Sequence, residues 1–185
     1  MNALIDKFPS FVEIGENQYE VNTDFRKCLK IMLAFEDMEL TDTEKQLIML
    51  GNLYKEMPPD YLAALKQAVW FLNSGKSEPG GVEQPRLFSF SKDAEYIYSG
   101  IMQTHGIDIQ QVEAMHWWKF TALLMSLDET CFFNKIVALR SKKLKGKLTK
   151  EEAIYCDEIS DILELPQVMS SEDMATLDDF YSQLR

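Results

Sequence analysis

The chain has 185 residues, of which 46% are hydrophobic and 26% are charged, with 8 glycines and 6 prolines. This composition excludes a collagen-like polymer, a low-complexity chain and an acidic disordered tail, and the length fits one domain or two small lobes. Thirty acidic and 19 basic residues give a formal net charge of -11. Because phosphate backbones repel such a protein at long range, the charge argues against general nucleic-acid binding.

The cysteines and the N-terminal sequence predict an intracellular protein. Cys28, Cys131 and Cys156 are odd in number and far apart, whereas a secreted disulfide framework has closely spaced pairs. The first ten residues lack the basic and apolar regions of a signal peptide, and no window approaches the roughly 20 apolar residues of a membrane span. We therefore expect reduced, buried thiols, no membrane contact and a cytoplasmic location.

The chain is predicted to begin with a β-hairpin. Apolar and acidic residues alternate in 11–14 (FVEI) and in 19–22 (YEVN), and Gly15 and Asn17 between them tolerate positive φ. A hairpin alone is marginally stable in water, so we expect this one to pack against another element.

Three helices are predicted after the hairpin. Thr23 is a preferred N-cap for the first, and Thr41 with Glu44 makes a capping box for the second. Pro58-Pro59 ends the second helix and opens the third. Apolar residues recur along each helix at spacings of three and four. The predicted apolar faces are Phe25, Cys28, Leu29, Met32 and Phe35 in the first helix, Leu47, Leu50 and Tyr54 in the second, and Tyr61, Leu65, Ala68, Val69 and Leu72 in the third.

A breaker-rich stretch divides the chain. Residues 73–86 (NSGKSEPGGVEQPR) contain three of the 8 glycines and two of the 6 prolines. We assign 76–90 as a linker between an N-terminal lobe, 1–75, and a helical C-terminal lobe, 91–185.

The second lobe is also predicted to be helical. Ser91 is expected to cap a helix that Gly106 ends, and 107–127 is expected to form the longest helix. Further helices are predicted after Asp128 or Thr130, after the Thr149/Glu152 capping box as far as Pro166, and from Ser170 or Ser171 to Arg185. The prediction is a mainly α fold of seven or eight helices in two lobes after a hairpin, with acidic last two helices.

The sequence gives little support for catalysis, a metal or a cofactor. Gly75-Lys76-Ser77 lacks the first glycine of a phosphate-binding loop. Glu113 and His116 supply only one of the two Glu-x-x-His motifs of a di-iron site, and the cysteines form no Cys-x-x-Cys pair. We expect a non-enzymatic protein without cofactors. A small hydrolase using Cys131 or Cys156 with a histidine stays open, since such partners meet in space rather than in sequence.

The run from Arg140 to Lys150 carries six positive charges and no negative ones. A solvated loop is the ordinary interpretation of such a run, and an acidic protein surface or nucleic acid is the functional one. Aromatic residues are absent from the run and 151–185 has ten acids against one base, which disfavours nucleic acid. Pairing with the chain's own acidic segment, within one molecule or between neighbours, also stays open. The candidate electrostatic contacts are Arg140, Lys142, Lys143, Lys145 and Lys147.

Residues 109–127 carry apolar side chains on two sides of the predicted helix. A helix of this kind is central in a bundle or is covered by a partner. Core packing is the ordinary interpretation, and we expect His116 to be a hydrogen-bonded core histidine; tryptophan is nevertheless enriched at protein-binding hot spots. The candidate partner-binding residues are Trp70, Phe71, Trp117, Trp118 and Met125.

Three motifs carry a resemblance to a known family. Residues 22–26 (NTDFR) directly follow the hairpin, 106–109 read GIDI, and 115–120 read MHWWKF, a rare string, before a helix that ends near Arg140. With these motifs the chain resembles the bacteriophage gene-product-fifteen family over 11–152.

The resemblance implies a small helical protein encoded among the tail genes of long-tailed phages and prophages. Its implied role is that of a tail-assembly chaperone that binds and solubilises the tape-measure protein in the host cytoplasm and is absent from the finished virion. The resemblance leaves open whether the chain also binds the tail-tube protein and whether it associates with itself. The alternative is a minor structural or connector component of the tail that stays in the virion. The family brings no catalytic residues.

Overall fold

The computed structural model describes residues 2–76 and 85–166, which contain a two-stranded hairpin and eight α-helices. The mainly α fold is confirmed. The predicted helix from Ser170 or Ser171 lies outside the described residues. The elements are β1 (Phe11–Ile14), β2 (Asn17–Glu20), α1 (Phe25–Glu36), α2 (Asp42–Leu53), α3 (Tyr61–Leu72), α4 (Ala94–His105), α5 (Trp117–Met125), α6 (Phe132–Leu144), α7 (Lys150–Glu158) and α8 (Ser160–Leu163).

The described residues fall into two compact units. Unit 1 contains 2–76 and 113–122, and unit 2 contains 85–112 and 123–166. Helix α5 contributes to both, because the division falls after Ala122. The predicted linker at 76–90 stays a prediction, since it includes residues outside the described ranges.

The predicted hairpin of unit 1 is present, but its second strand covers Asn17–Glu20 rather than 19–22. Gly15, with φ of 62°, is the first residue of the two-residue turn, where the glycine accepts a backbone conformation that L side chains disfavour. Val12 and Ile14 alternate with exposed residues and are buried, and α3 packs against β1. Asn17 is the first residue of β2 rather than part of the turn.

The predicted helix starts in unit 1 are close to the observed ones. Thr41 and Glu44 form the capping box of α2, as predicted. The N-cap of α1 is Asp24, one residue later than the predicted Thr23, and its carboxylate accepts a hydrogen bond from the Arg26 N–H at 2.9 Å.

The predicted apolar faces of α2 and α3 need correction, because Leu47 and Tyr61 are exposed. Buried positions in α2 follow the spacing of Lys45, Met49 and Leu53, and Leu47 lies two residues from each of the first two, on the opposite side of the helix. The buried apolar residues are Phe25, Cys28, Ile31, Met32, Ala34 and Phe35 in α1, Met49, Leu50 and Leu53 in α2, and Ala64, Ala68, Phe71 and Leu72 in α3.

The long helix predicted at 107–127 is wrong in its first half, since α5 begins only at Trp117. The preceding segment pairs with the residues that precede α1: the Phe25 N–H donates to the Met115 carbonyl at 2.9 Å, and the Trp117 N–H donates to the Thr23 carbonyl at 2.7 Å. Residues 115–117 therefore form main-chain hydrogen bonds with 23–25 instead of continuing a helix, and these bonds pair main-chain groups that a helix would otherwise pair.

Unit 2 contains α4 and α6 to α8. Gly106 ends α4 as predicted, with φ of 65° and its N–H bonded to the Met102 carbonyl at 2.9 Å. Thr149 and Glu152 form the predicted capping box of α7. A cluster of buried side chains packs α6 against α7 and α8. Its members are Ile136, Leu139, Cys156 and Leu163.

Two helix starts in unit 2 lie one or two residues later than predicted. Helix α4 begins after Asp93 rather than Ser91, and no side chain caps it, because the Asp93 carboxylate is engaged elsewhere. Helix α6 begins after Cys131. The Asp128 carboxylate instead accepts hydrogen bonds from the N–H and the hydroxyl of Thr130, which closes a local turn before the helix.

Candidate partner-binding surface

Aromatic side chains of α3 converge in unit 1 on the side chain of Trp118. Its ring centroid lies 5.6 Å from that of Trp70, 5.8 Å from that of Phe71 and 5.8 Å from that of Phe8. The His116 ring is 6.0 Å away, edge to face. We call Phe8, Trp70, Phe71, His116 and Trp118 the aromatic cluster. The structure therefore brings together three of the predicted partner-binding residues.

The two neighbouring tryptophans cap the C-terminus of α3. The Trp117 indole N–H donates to the Leu72 carbonyl at 2.8 Å, and the Trp118 indole N–H donates to the Phe71 carbonyl at 2.7 Å. The last four carbonyls of a helix have no partner within it, so buried helix ends need donors from elsewhere. The tryptophan pair supplies two such donors to consecutive carbonyls.

Gly75 follows this capped end in close contact with the aromatic cluster. Its φ is +75°, and a Cβ atom at this position would lie 2.7 Å from Cη2 of Trp118. The Gly75 N–H donates to the Trp70 carbonyl at 2.9 Å. A side chain at position 75 is therefore disfavoured both by the backbone conformation and by the tryptophan ring.

His116 links the start of α5 to the N-terminal segment. Its Nδ1 accepts a hydrogen bond from the Trp118 N–H at 3.0 Å, so the proton of the neutral ring is on Nε2, which donates to the Pro9 carbonyl at 3.0 Å. Desolvation lowers the pKa of His116, partly offset by the bond to Pro9. The expected hydrogen-bonded histidine is thus present, at a helix start instead of on a helical stripe.

The candidate partner-binding residues differ in their exposure. Trp117 and Phe71 are fully buried, Trp118 is 4% exposed, Trp70 is half-buried and Met125 is 41% exposed. Their role in partner binding stays a prediction. The buried members hold the fold together in the described conformation, and Met125 is the member with a large accessible apolar side chain.

Exposed apolar side chains also occur in α2, in α3 and in the segment between these helices. Leu62 is 76% exposed, and Leu47, Met57 and Tyr61 are also exposed. The Tyr61 hydroxyl bonds to Oε1 of Gln46 at 2.9 Å, so the first turn of α3 lies beside the middle of α2. We call Leu47, Met57, Tyr61 and Leu62 the α2–α3 surface.

Sequence reasoning missed the α2–α3 surface because it assigned Leu47 and Tyr61 to the core. A signal was available in α2: the stripe Met49, Leu50 and Leu53 fits the helical period at least as well as the one chosen.

Arg140, the first of the candidate electrostatic contacts, lies in the interior of unit 2 and is 4% exposed. Its guanidinium donates to the carbonyls of Leu87, Ile162 and Leu163 and to the carboxylate of Asp93. The structure therefore separates Arg140 from the lysines that follow it.

Residues 4–165 match the model of the Bacteriophage Gp15 protein family. The chain belongs to this family. The resemblance carried by the NTDFR, GIDI and MHWWKF motifs is thereby confirmed, and the Gp15 match extends beyond these motifs on both sides. No curated protein and no solved structure matches the chain. Within the part of this Gp15 protein that the structure describes, no helix has the length and apolar character required to cross a bilayer.

The remaining candidate electrostatic contacts of this Gp15 protein are exposed. Lys142 forms an ion pair with Glu152, with 2.5 Å between Nζ and Oε1. Lys143 belongs to the last turn of α6, and Lys145 and Lys147 follow it in the loop before α7. The charges of the two helical lysines complement the negative end of the helix dipole.

Among residues 2–76 and 85–166 of this Gp15 protein, no three His, Cys, Asp or Glu side chains are arranged to hold a metal ion. Cys28, Cys131 and Cys156 are buried free thiols. Burial, with a smaller contribution from the charge of Asp24, raises the pKa of Cys28. The Cys28 sulfur is therefore a protonated thiol at neutral pH rather than a nucleophilic thiolate.

Proposed function

We propose that this chain is a non-enzymatic tail-assembly chaperone that binds the tape-measure protein of a phage and keeps it soluble in the host cytoplasm during assembly. Membership of the Gp15 family makes the chain a phage protein. The structural observation that carries the proposal is the α2–α3 surface, which presents four apolar side chains to solvent. Tail-tube subunits and a second copy of the chain are further candidate partners.

Apolar surface is the feature that such a chaperone needs. A long helical client with apolar stripes aggregates unless another protein covers those stripes. An apolar surface on α2 and α3 could receive one face of a helix, and each Å² of apolar area removed from water contributes about 25 cal/mol. Met57 supports such contacts, because an unbranched thioether adapts to different neighbours.

The charge of the chain supports the same role. A net charge of -11 keeps a loaded complex dispersed and opposes contact with phage DNA. The negative charge therefore allows the chain to expose apolar residues for a partner without aggregating.

The experiment is co-expression with the tape-measure protein of the same tail-gene cluster, followed by size-exclusion chromatography with light scattering. We expect a soluble complex with several copies of the chain per tape-measure protein. A soluble chain that leaves the tape-measure protein aggregated would contradict the proposal. Mass spectrometry of purified particles then tests the alternative, a tail component that is retained in the virion.

Matched leucine variants test the proposed contact surface. Leu62→Ser and Leu47→Ser change exposed residues of the α2–α3 surface, so neither should destabilise the fold much. Leu144→Ser is the control, because Leu144 is 59% exposed but belongs to α6. We expect the first two variants to reduce co-elution and the control to leave it unchanged. Equal co-elution for all three would remove the α2–α3 surface from the proposal.

A further inference from the structure

Strand β2 directs main-chain groups away from β1 at alternate residues. In an antiparallel pair, successive residues point their N–H and C=O groups alternately toward the partner strand and away from it. The Val21 N–H donates to the Ser10 carbonyl at 2.9 Å, so Val21 faces the β1 side. Glu20 and Gln18, at odd spacing from Val21, consequently point these groups toward the opposite edge.

That opposite edge is only partly occupied. The Lys55 N–H donates to the Glu20 carbonyl at 3.1 Å, and the Asn22 N–H donates to the Leu53 carbonyl at 2.7 Å. Residues 53–55 therefore pair with the outer edge of β2 like a short third strand, and we call them the third row. The row stops there, because the chain bends at Lys55 and Glu56. Within the described part of the chain, the N–H and C=O groups of Gln18 make no main-chain hydrogen bond to a residue outside the hairpin.

An open cavity lies where the third row stops. Its volume is about 500 Å³, and its lining includes Phe11, Gln18, Glu20, Lys55 and Glu56. This volume falls within the range of about 300–1,000 Å³ that is typical of ligand sites in proteins. Gln18 and the aromatic side chain of Phe11, which is 47% exposed, both line this cavity.

The charges around the cavity are mostly negative. Lys55, the cation of the lining, forms an ion pair with Glu20. Glu56 belongs to the lining, and Glu13 and Glu16 lie on the same hairpin. A segment that enters the cavity thus meets more carboxylates than cations, which favours a segment with basic side chains.

We propose that the free edge of β2 at Gln18 binds an extended, basic segment of a partner polypeptide, which continues the third row begun by 53–55. The main chain of the segment pairs with Gln18, its basic side chains face the surrounding glutamates, and alternate apolar side chains contact Phe11. This inference is independent of the proposed chaperone role, because it concerns the hairpin edge and not the α2–α3 surface.

The test is an NMR titration of the full chain with a blocked pentapeptide of alternating lysine and valine. We expect shifts centred on the amides of Gln18, Glu20 and Glu56, with slower exchange of the Gln18 amide proton. The same peptide with every amide N-methylated has no main-chain N–H to donate, and a glutamate–valine peptide has the opposite charge. Both should bind at least about tenfold more weakly.

Two variants at one position separate main-chain pairing from side-chain contact. Gln18→Pro removes an N–H that faces away from β1, a position where an edge strand tolerates proline, and should weaken binding of the lysine–valine peptide at least about tenfold. Gln18→Ala keeps the N–H and should bind like the wild type. If Gln18→Pro fails to fold, the N-methylated peptide still decides the question. Equal binding of the methylated peptide, shifts centred elsewhere, or no shifts at all would overturn the proposal.

Discussion

The guanidinium of Arg140 and the carboxylate of Asp93 form a bidentate ion pair inside unit 2, with Nη1 2.6 Å from Oδ2 and Nη2 2.9 Å from Oδ1. The side chains are 4% and 0% exposed. The Asp93 carboxylate also accepts the Ser89 N–H at 2.9 Å. The pair connects α6 to the segment before α4, and both of its charges are satisfied by hydrogen bonds.

Replacing Arg140 with methionine should lower the free energy of unfolding by about 3–5 kcal/mol, because the Asp93 carboxylate would remain buried without its cation. Urea denaturation followed by far-ultraviolet circular dichroism measures the change. Lys143→Met is the matched control, since Lys143 is exposed on the same helix, and it should change the free energy by less than about 0.5 kcal/mol. Equal effects of the two variants would show that the ion pair does not contribute to stability.

Shortening Trp118 should destabilise the protein in two separable steps. Trp118→Phe keeps an aromatic ring in the cluster but removes the indole donor to the Phe71 carbonyl, which still accepts the Ser74 N–H at 3.0 Å, at a cost of about 0.5–1.5 kcal/mol. Trp118→Ala also removes the ring and should cost about 3–5 kcal/mol. Thermal unfolding of the two variants distinguishes the contributions. A midpoint for Trp118→Ala close to that of the wild type would mean that the side chain is not part of the core.

The same substitution should have opposite effects at two glycines. Gly75→Ala places a Cβ atom against Trp118 at a φ of +75° and should destabilise the protein by at least about 1 kcal/mol. Gly51 lies within α2, where a Cβ atom would meet nothing within 4 Å, so Gly51→Ala should stabilise by about 0.5–1 kcal/mol. Denaturation midpoints measure both. Destabilisation by both variants would contradict the described conformation at Gly51.

Stability should fall on mild acidification because of His116. Its pKa is lowered from the ordinary value of 6.5, so the unfolded chain takes up a proton at a higher pH than the folded chain. The contribution of the neutral imidazole is complete above the ordinary pKa and is lost as the pH falls through it toward the lower folded value. His116→Gln should therefore show a smaller loss of unfolding free energy than the wild type between about pH 7.5 and about pH 5.

His105→Gln is the control for that measurement, because it leaves His116 in place. The loss of stability on acidification that is due to His116 should be retained in this variant. If the profiles of the wild type and His116→Gln coincide, protonation of His116 does not limit stability in this range.

The elements predicted correctly from the sequence are those fixed by neighbouring residues. The capping boxes at Thr41 and Thr149 and the helix stop at Gly106 each depend on side chains or φ values within four residues. The hairpin turn at Gly15 is of the same kind. Because such features depend only on neighbouring residues, they can be predicted from a short stretch of sequence without knowledge of the tertiary contacts.

The features that the sequence did not reveal depend on residues far apart in the chain. Nothing near Met115 indicates that it will pair with Phe25, and the local apolar pattern of 109–116 is also compatible with a helix. Arg140 sits in a run of lysines, and only the position of Asp93 distinguishes it from them. For the candidate site, composition identified the tryptophans but could not tell a buried helix cap from an exposed contact.

The three tryptophans of the chain, Trp70, Trp117 and Trp118, all belong to unit 1. Their intrinsic fluorescence is consequently a spectroscopic label for one unit, whereas circular dichroism reports the helices of both. Overlapping melting curves from the two signals would mean that the units unfold cooperatively, and separated curves would mean that they unfold independently. Unit 1 can thus be followed on its own, without an attached dye, while a candidate partner is added.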